Sequence, residues 1–248
     1  MKYLCIACEV IARPIYLCAA HASSVVDVEL IERGLHNQPL KLKECIQSHI
    51  DHAEGRCYDA ILLGYGLCGN GTEGLDARSV PLVIPRVHDC ISLLLGNPER
   101  YQEQFDQNPG TYWYSQDFVE RADNTKFATM GLVSDERLSR QYDSYVEKYG
   151  KENADYLMEV MGGWQSHYQR AVFIDLGIID PESSQTQVQS IADQRGWTYE
   201  SMVGDLIIFR QLLNGDWSTD NPSNFIVIPP NHSVSLTFDT NIFGCEIK

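Results

Sequence analysis

Ala60-Ile61-Leu62-Leu63-Gly64-Tyr65-Gly66-Leu67-Cys68-Gly69-Asn70-Gly71-Thr72 is followed a short way on by Leu82-Val83-Ile84-Pro85-Arg86-Val87-His88-Asp89-Cys90. Two runs this short and uniformly apolar, about one helix length apart, predict strands of a parallel sheet buried on both faces. Ligands of open α/β sheets sit outside the carboxyl ends of the strands. Cys68, His88 and Cys90 are therefore expected at the rim where chemistry is done. The run over residues 3–7 repeats the pattern and ends at Cys8-Glu9. Three strand ends thus deliver three thiols and an imidazole to one rim, with Glu9 and His88 as its acid–base groups.

The composition narrows the partners. In 248 residues, 44% hydrophobic content with 10% aromatics supplies a sizeable core. A formal charge of -15 argues against a nucleic-acid backbone or an anionic membrane surface, both of which need clustered Lys and Arg. The first residues lack a basic region followed by a long apolar core and a small-residue cleavage site, and no run of 18 apolar residues occurs, so a cytoplasmic location is expected. In a reducing compartment the eight cysteines are expected to be free thiols, available for metal binding or thiol chemistry.

Cys5, Cys18 and Cys45 fall on strand or helix patterns that suit plain packing. Cys8, Cys68 and Cys90 do not, and they form the candidate metal set. Cys90 opens a short apolar helix closed by Gly96, and a cysteine at a helix N-terminus is expected to be partly thiolate near neutral pH. Asp89 just before it reads as the cap of that helix. Gly64, Gly66, Gly69, Asn70 and Gly71 are the candidate ligand-binding backbone, because glycine permits positive φ and close approach. The string Gly64-x-Gly66-x-x-Gly69 matches a dinucleotide fingerprint, yet it follows the third strand instead of the first and lacks the acidic residue about 20 positions on.

Along the chain, a helix is expected after Cys8, starting or kinking near Ala12 because of Pro14. A strand over 25–30 and an amphipathic helix over 39–54 with inner stripe Leu40, Leu42, Cys45, Ile46, His49 and Ile50 complete a βαβαβ half. Tyr101, Phe105, Tyr112, Trp113, Tyr114 and Phe118 surround a turn at Asn108-Pro109-Gly110; they read as a loop that walls a pocket or covers a small core of its own. Helices over 134–149 and 152–169 follow, then strands over 171–175, 197–202 and 225–228 with helices over 182–195 and 206–213. The fold class is thus α/β, mostly parallel sheet flanked by helices, in two pseudo-repeated Rossmann-like halves with the site at strand carboxyl ends. The division expected is 1–110, an N-terminal half with the Cys/His site; 111–170, an aromatic and helical connection; and 171–248, a C-terminal half with an edge strand at its tail.

Cys8-Glu9, Leu63-Gly64-Tyr65-Gly66-Leu67-Cys68-Gly69-Asn70-Gly71, Pro85-Arg86-Val87-His88-Asp89-Cys90-Ile91 and Pro109-Gly110-Thr111-Tyr112-Trp113 resemble an uncharacterised family of bacterial and archaeal proteins classed as a domain of unknown function. Its members are encoded beside corrinoid proteins and corrinoid-dependent methyltransferases. The resemblance implies a role in one-carbon transfer, with a protein-bound corrinoid as partner.

The residues supply the chemistry. Three thiols and a histidine from separate strand ends are a soft-donor set, matched by tetrahedral zinc with an exchangeable position or by a three-cysteine iron–sulfur cluster. Zinc would hold a small thiol substrate as thiolate, a methyl acceptor. The alternatives are a non-catalytic accessory protein that binds a corrinoid protein or carries a metal or cofactor, with the aromatic loop as its docking surface, and a metal-free cysteine enzyme that uses Cys68 and Cys90 as acid and base.

Overall fold

The structure is a computed structural model that describes residues 1–121, 146, 150–151, 168–217, 224–237 and 242–247. It divides into two compact units: Met1–Gln102, Asp175–Ile179 and Val203–Lys248 form the first, and Glu103–Ile174 with Asp180–Met202 the second. The chain therefore crosses between units several times instead of running through consecutive halves.

In the first unit, β1 (Lys2–Cys8), β2 (Val25–Ile31), β3 (Ala60–Gly64) and β4 (Leu82–Pro85) lie parallel in the order β2-β1-β3-β4. β3 and β4 are buried along their whole length, as continuous apolar runs require when both faces are covered. β8 (Phe225–Ile228) adds to β4 antiparallel, Val83 facing Val227. Of the expected second half, β8 instead extends the first sheet, and among the described residues the strand order shows no repeat of a Rossmann-like half. Apolar runs announce a strand but carry no signal of its direction or neighbour.

Two helices set the layers. α1 (Ala12–His21) is preceded by a 3-10 turn, Glu9–Ile11, and Pro14 sits in its first turn, where a missing N–H leaves nothing unpaired. α2 (Pro39–His52) starts on a proline and buries Leu42, Ile46 and Ile50, spaced one turn apart. They pack on Leu4 and Ile6 of β1, Ile61 and Leu63 of β3, Leu82 and Ile84 of β4, and Ile226 and Ile228 of β8. Each fully buried aliphatic side chain contributes roughly 1.5–3 kcal/mol. Leu40, expected in the same stripe, is 78% exposed. Cys5, Leu62 and Val83, one residue out of phase, are buried on the opposite face of the sheet.

Past β4, α3 (Cys90–Leu95) and α4 (Pro98–Gln107) follow. The chain re-enters this unit with α7 (Ile207–Asn214), which packs on α1, and closes with a hairpin of β9 (His232–Leu236) and β10 (Phe243–Ile247). The expected edge strand at the tail is thus β10, with exposed Cys245 opposite Val234.

The second unit is a three-stranded sheet, β5 (Thr111–Ser115), β6 (Arg170–Asp175) and β7 (Thr198–Val203), in the order β5-β6-β7, with α5 (Gln116–Glu120) and α6 (Glu182–Arg195). β5 replaces the aromatic loop expected here. Tyr112, Trp113, Tyr114 and Phe118 are buried, and Tyr112 stacks on Trp197 with ring centroids 5.8 Å apart. These four rings are buried within this unit and present no exposed docking surface. The helices expected over 134–169 fall, but for a few positions, outside the described residues. Among the described residues no helix is long and apolar enough to cross a membrane.

Candidate functional site

The strand order β2-β1-β3-β4 reverses direction between β1 and β3: the chain leaves β1 toward β2 and returns to the other side at β3. Outside the carboxyl ends of those two strands lies the crevice that open α/β sheets use for ligands. Ala7 is paired with Gly64 there, so Cys8 ends β1 beside the Tyr65 that leaves β3. Side chains alternate along a strand. Leu4, Ile6 and Cys8 therefore share the α2 face of the sheet with Ile61, Leu63 and Tyr65, and all six belong to or pack against one core.

Beyond β3 the chain stays beside the exit of β4. Leu67 donates its N–H to the Val87 carbonyl (3.0 Å) and Cys68 to that of His88 (2.9 Å). Gly66 makes this approach possible, since a Cβ there would meet the Val87 oxygen at 2.6 Å and the Asp89 nitrogen at 2.9 Å. Buried Thr72 clamps the loop from below by donating its hydroxyl to the Gly66 carbonyl (3.1 Å). Gly64 is also a packing position, where a Cβ would fall 2.5 Å from that of Ala7. Gly71 lies against Leu42, whereas Gly69 and Asn70 are exposed and nothing lies within 4 Å of a Cβ built on Gly69. Of the expected ligand-binding backbone, then, Gly64 and Gly66 are accounted for by chain packing, and Gly69 and Asn70 face open space.

Cys68, Gly69 and Asn70 take φ of 48°, 63° and 69° in succession. The left-handed region costs a residue with a Cβ roughly 1–2 kcal/mol. Cys68 is held in it by the hydrogen bond its N–H donates to the His88 carbonyl and by the turn in which the Gly71 N–H donates to the Cys68 carbonyl (3.2 Å). Such strain is typical of places where a side chain must point in one direction.

Asp89 caps α3 as expected, accepting from the N–H groups of Ile91 (3.0 Å) and Ser92 (3.2 Å). Burial lifts its carboxyl above the usual range, against the Ser92 and Ile91 amides, the Tyr101 hydroxyl and the charge of His88. His88 itself is exposed at the rim. Glu9 accepts the Arg33 backbone N–H through Oε1 (3.0 Å), tying the exit of β1 to that of β2. By strand order Glu9 and His88 stand on either side of the β3 exit.

The three expected thiols lie near enough for each to bear on the ionisation of the others. Burial pushes Cys8 up to about 11, where the Val10 amide, Arg33 and the Tyr65 hydroxyl oppose it and Glu9 adds to it. Burial pushes Cys68 up to about 12, with Cys8 adding to it. Cys90 is pushed well above the ordinary range by burial, then by Asp89, Cys68 and Cys8. The expectation of a partly ionised Cys90 is thus overturned. A six-residue helix has a small dipole, and the loss of water around the sulfur outweighs it. Among the described residues no group of three or more His, Cys, Asp or Glu side chains is placed to hold a metal ion. Burial keeps the three thiols protonated near neutral pH.

Tyr65 and Cys45 are what the sequence reading missed. Tyr65 is 3% exposed, and its hydroxyl is buried without a hydrogen-bond partner. It lies beside the Cys8 thiol closely enough to favour the thiolate, although not in hydrogen-bond geometry. Burial raises its phenol far out of the ordinary range, and Cys8, Cys68, Cys45 and Cys90 add to this in that order. A buried hydroxyl left unpaired costs about 1–3 kcal/mol. Cys45, on α2, packs against the core as expected and is a fourth sulfur near the same phenol.

The molecule is an open α/β sheet protein with three cysteines gathered near its switch point. The family model described as "Protein of unknown function (DUF1638)" matches residues 30–213, and the chain belongs to that family. The matched part holds Cys45, Tyr65, Cys68, His88 and Cys90; Cys8 and Glu9 precede it. No curated protein and no solved structure matches the chain.

Proposed function

We propose that the crevice is a thiol site for a soft metal ion, zinc first, that serves one-carbon chemistry by passing a methyl group to a small thiol. The observation that supports this reading is the convergence on one unpartnered phenol of sulfurs from β1, α2, the β3 exit and α3. Cys8, Cys68 and Cys90 would hold the ion, since thiolates select zinc and other soft ions over magnesium or calcium. Bound there, zinc would keep a substrate thiol ionised near neutral pH, the state in which it attacks a methyl group.

The protein's own groups do the rest. Each cysteine must turn about its single side-chain torsion and release a proton that burial now retains, so apparent affinity falls as pH falls. His88, exposed and fixed through its carbonyl to Cys68, accepts the proton of the incoming thiol and passes it to water. Glu9, on the far side of the β3 exit, keeps the β1 and β2 ends together while loading occurs. A cytoplasmic setting suits eight free thiols.

In this reading the methyl donor is a protein-bound corrinoid. Incubating the protein with a methylated corrinoid protein and a panel of small thiols, while the corrinoid spectrum is followed, tests it. Demethylation that needs both ion and thiol supports the transferase; tight binding without a spectral change makes the chain an accessory partner. Iron with inorganic sulfide in place of zinc would move the site to a three-cysteine cluster. A second reading has its own observation: among the described residues no three ligands are placed for an ion, and burial keeps Cys68 and Cys90 protonated. A metal-free acid–base pair acting at carbon would use one of these as thiol and the other as thiolate, so one of them must give up its proton when substrate binds. A protein that carries neither zinc nor iron, yet loses activity in Cys68→Ser and Cys90→Ser alike, favours that reading.

A further inference from the structure

β2 ends the first sheet, and among the described residues no strand pairs with its outer edge. The whole strand stands in register with β1, from Val25 opposite Lys2 to Ile31 opposite Cys8. The Val25 N–H donates to the Met1 carbonyl (3.0 Å). In a parallel pair such inward bonds fall on alternate residues, so Val26, Val28 and Leu30 turn their N–H and C=O groups outward. A row of open backbone groups is a template for another strand, and proteins that guard an edge shorten it, bulge it or place proline or lysine on it. β2 carries none of these devices.

Val26-Asp27-Val28-Glu29-Leu30 has the same pattern in both directions, apolar and acidic residues alternating about Val28. A two-fold axis through Val28 sets an antiparallel copy with Val28 opposite Val28, Val26 opposite Leu30 and Asp27 opposite Glu29. The apolar pairs of this register are the ones whose backbone groups point outward, so they are the pairs that exchange hydrogen bonds. The carboxylates do not oppose it. Asp27 is held by Lys2 (3.2 Å) and the Tyr58 hydroxyl (2.7 Å), and Glu29 by Arg56 (3.0 Å) and His49 (2.5 Å), so each edge brings its acids already matched by bases. We propose that β2 is the interface of a homodimer, in which two copies of the chain join edge to edge and run their first sheets into one. The pairing is closed, since each copy covers the edge of the other and leaves none for a third.

Sedimentation velocity of the full chain across micromolar concentrations tests this. The wild type should reach twice the mass of one chain. Val28→Lys sets two ammonium groups against each other on the axis and should weaken the dimer at least about 100-fold. Val28→Pro removes an N–H that the single chain does not use in its own sheet, as an edge strand tolerates, and should also give a monomer with the circular dichroism of the wild type. Hydrogen exchange of the wild type provides a second measurement: the Val26, Val28 and Leu30 amides should exchange slowly in the dimer and quickly once it is diluted to monomer. Should either variant fail to fold, that exchange decides alone. A wild type that stays monomeric, a dimer that persists in folded Val28→Lys, or a dimer whose three outward amides exchange freely overturns the proposal.

Discussion

Gly66 decides whether the rim exists. A methyl group at this position meets backbone atoms on the β4 exit, which cannot rotate away, so Gly66→Ala must push the β3 and β4 exits apart and break the hydrogen bond from the Cys68 N–H to the His88 carbonyl. We expect a loss of about 1–3 kcal/mol in denaturant unfolding, together with weakened ion binding; a variant as stable as the wild type would show that the exits are not held this closely. Cys68 makes the opposite case. Glycine is at ease at a φ of 48°, so Cys68→Gly should offset its lost packing and stay within about 1 kcal/mol of wild-type stability. The same variant should lose the ion. The residue scale is also where the sequence was least legible. Tyr65 sits between Gly64 and Gly66, and those glycines direct attention to the backbone. Only the alternation from Leu63 shows that its ring turns toward α2, and nothing local shows that its hydroxyl ends unpaired.

At the scale of elements, α2 carries most of the cover over the site's floor. Ile46 is fully buried in the middle of its stripe, and Ile46→Ala should cost about 2–5 kcal/mol by equilibrium unfolding. A cost below about 1 kcal/mol would mean that α2 is not seated on β1 and β3 as described. β1 supports a prediction about pH. Burial pushes Cys5 up to about 12 from an ordinary 9.0. The unfolded chain gives up this proton first, so the stabilisation is complete below pH 9 and is lost as pH rises through 12. Metal-free protein should weaken steadily across that alkaline window, and Cys5→Ala should flatten the decline; parallel slopes for the two proteins would contradict the burial of this thiol. Strands such as β3, β4 and β8 were legible because runs of Ile, Leu and Val have one common reading. β5 was not, since its aromatics follow a Pro-Gly turn and a polar stretch that together read as a loop.

For the whole molecule, the two units follow from long-range pairing that no local pattern encodes. β8 returns across more than a hundred residues to lie antiparallel on β4, and β6 and β7 stay with β5. That Cys8, Cys68 and Cys90 follow strands at one edge was legible nonetheless, because the carboxyl ends of parallel strands share one edge whatever follows them. Cys45 was hidden, because a helical stripe reports which face is buried and not which end of the sheet it reaches. The central claim is that this edge is a soft-metal site built from thiols. Element analysis of anaerobically purified wild type, Cys68→Ser and Cys90→Ser tests it most directly. The account predicts about one zinc per chain in the wild type and none in either variant, with all three proteins folded. Wild type without zinc or iron, or variants that keep the wild-type content, would contradict it.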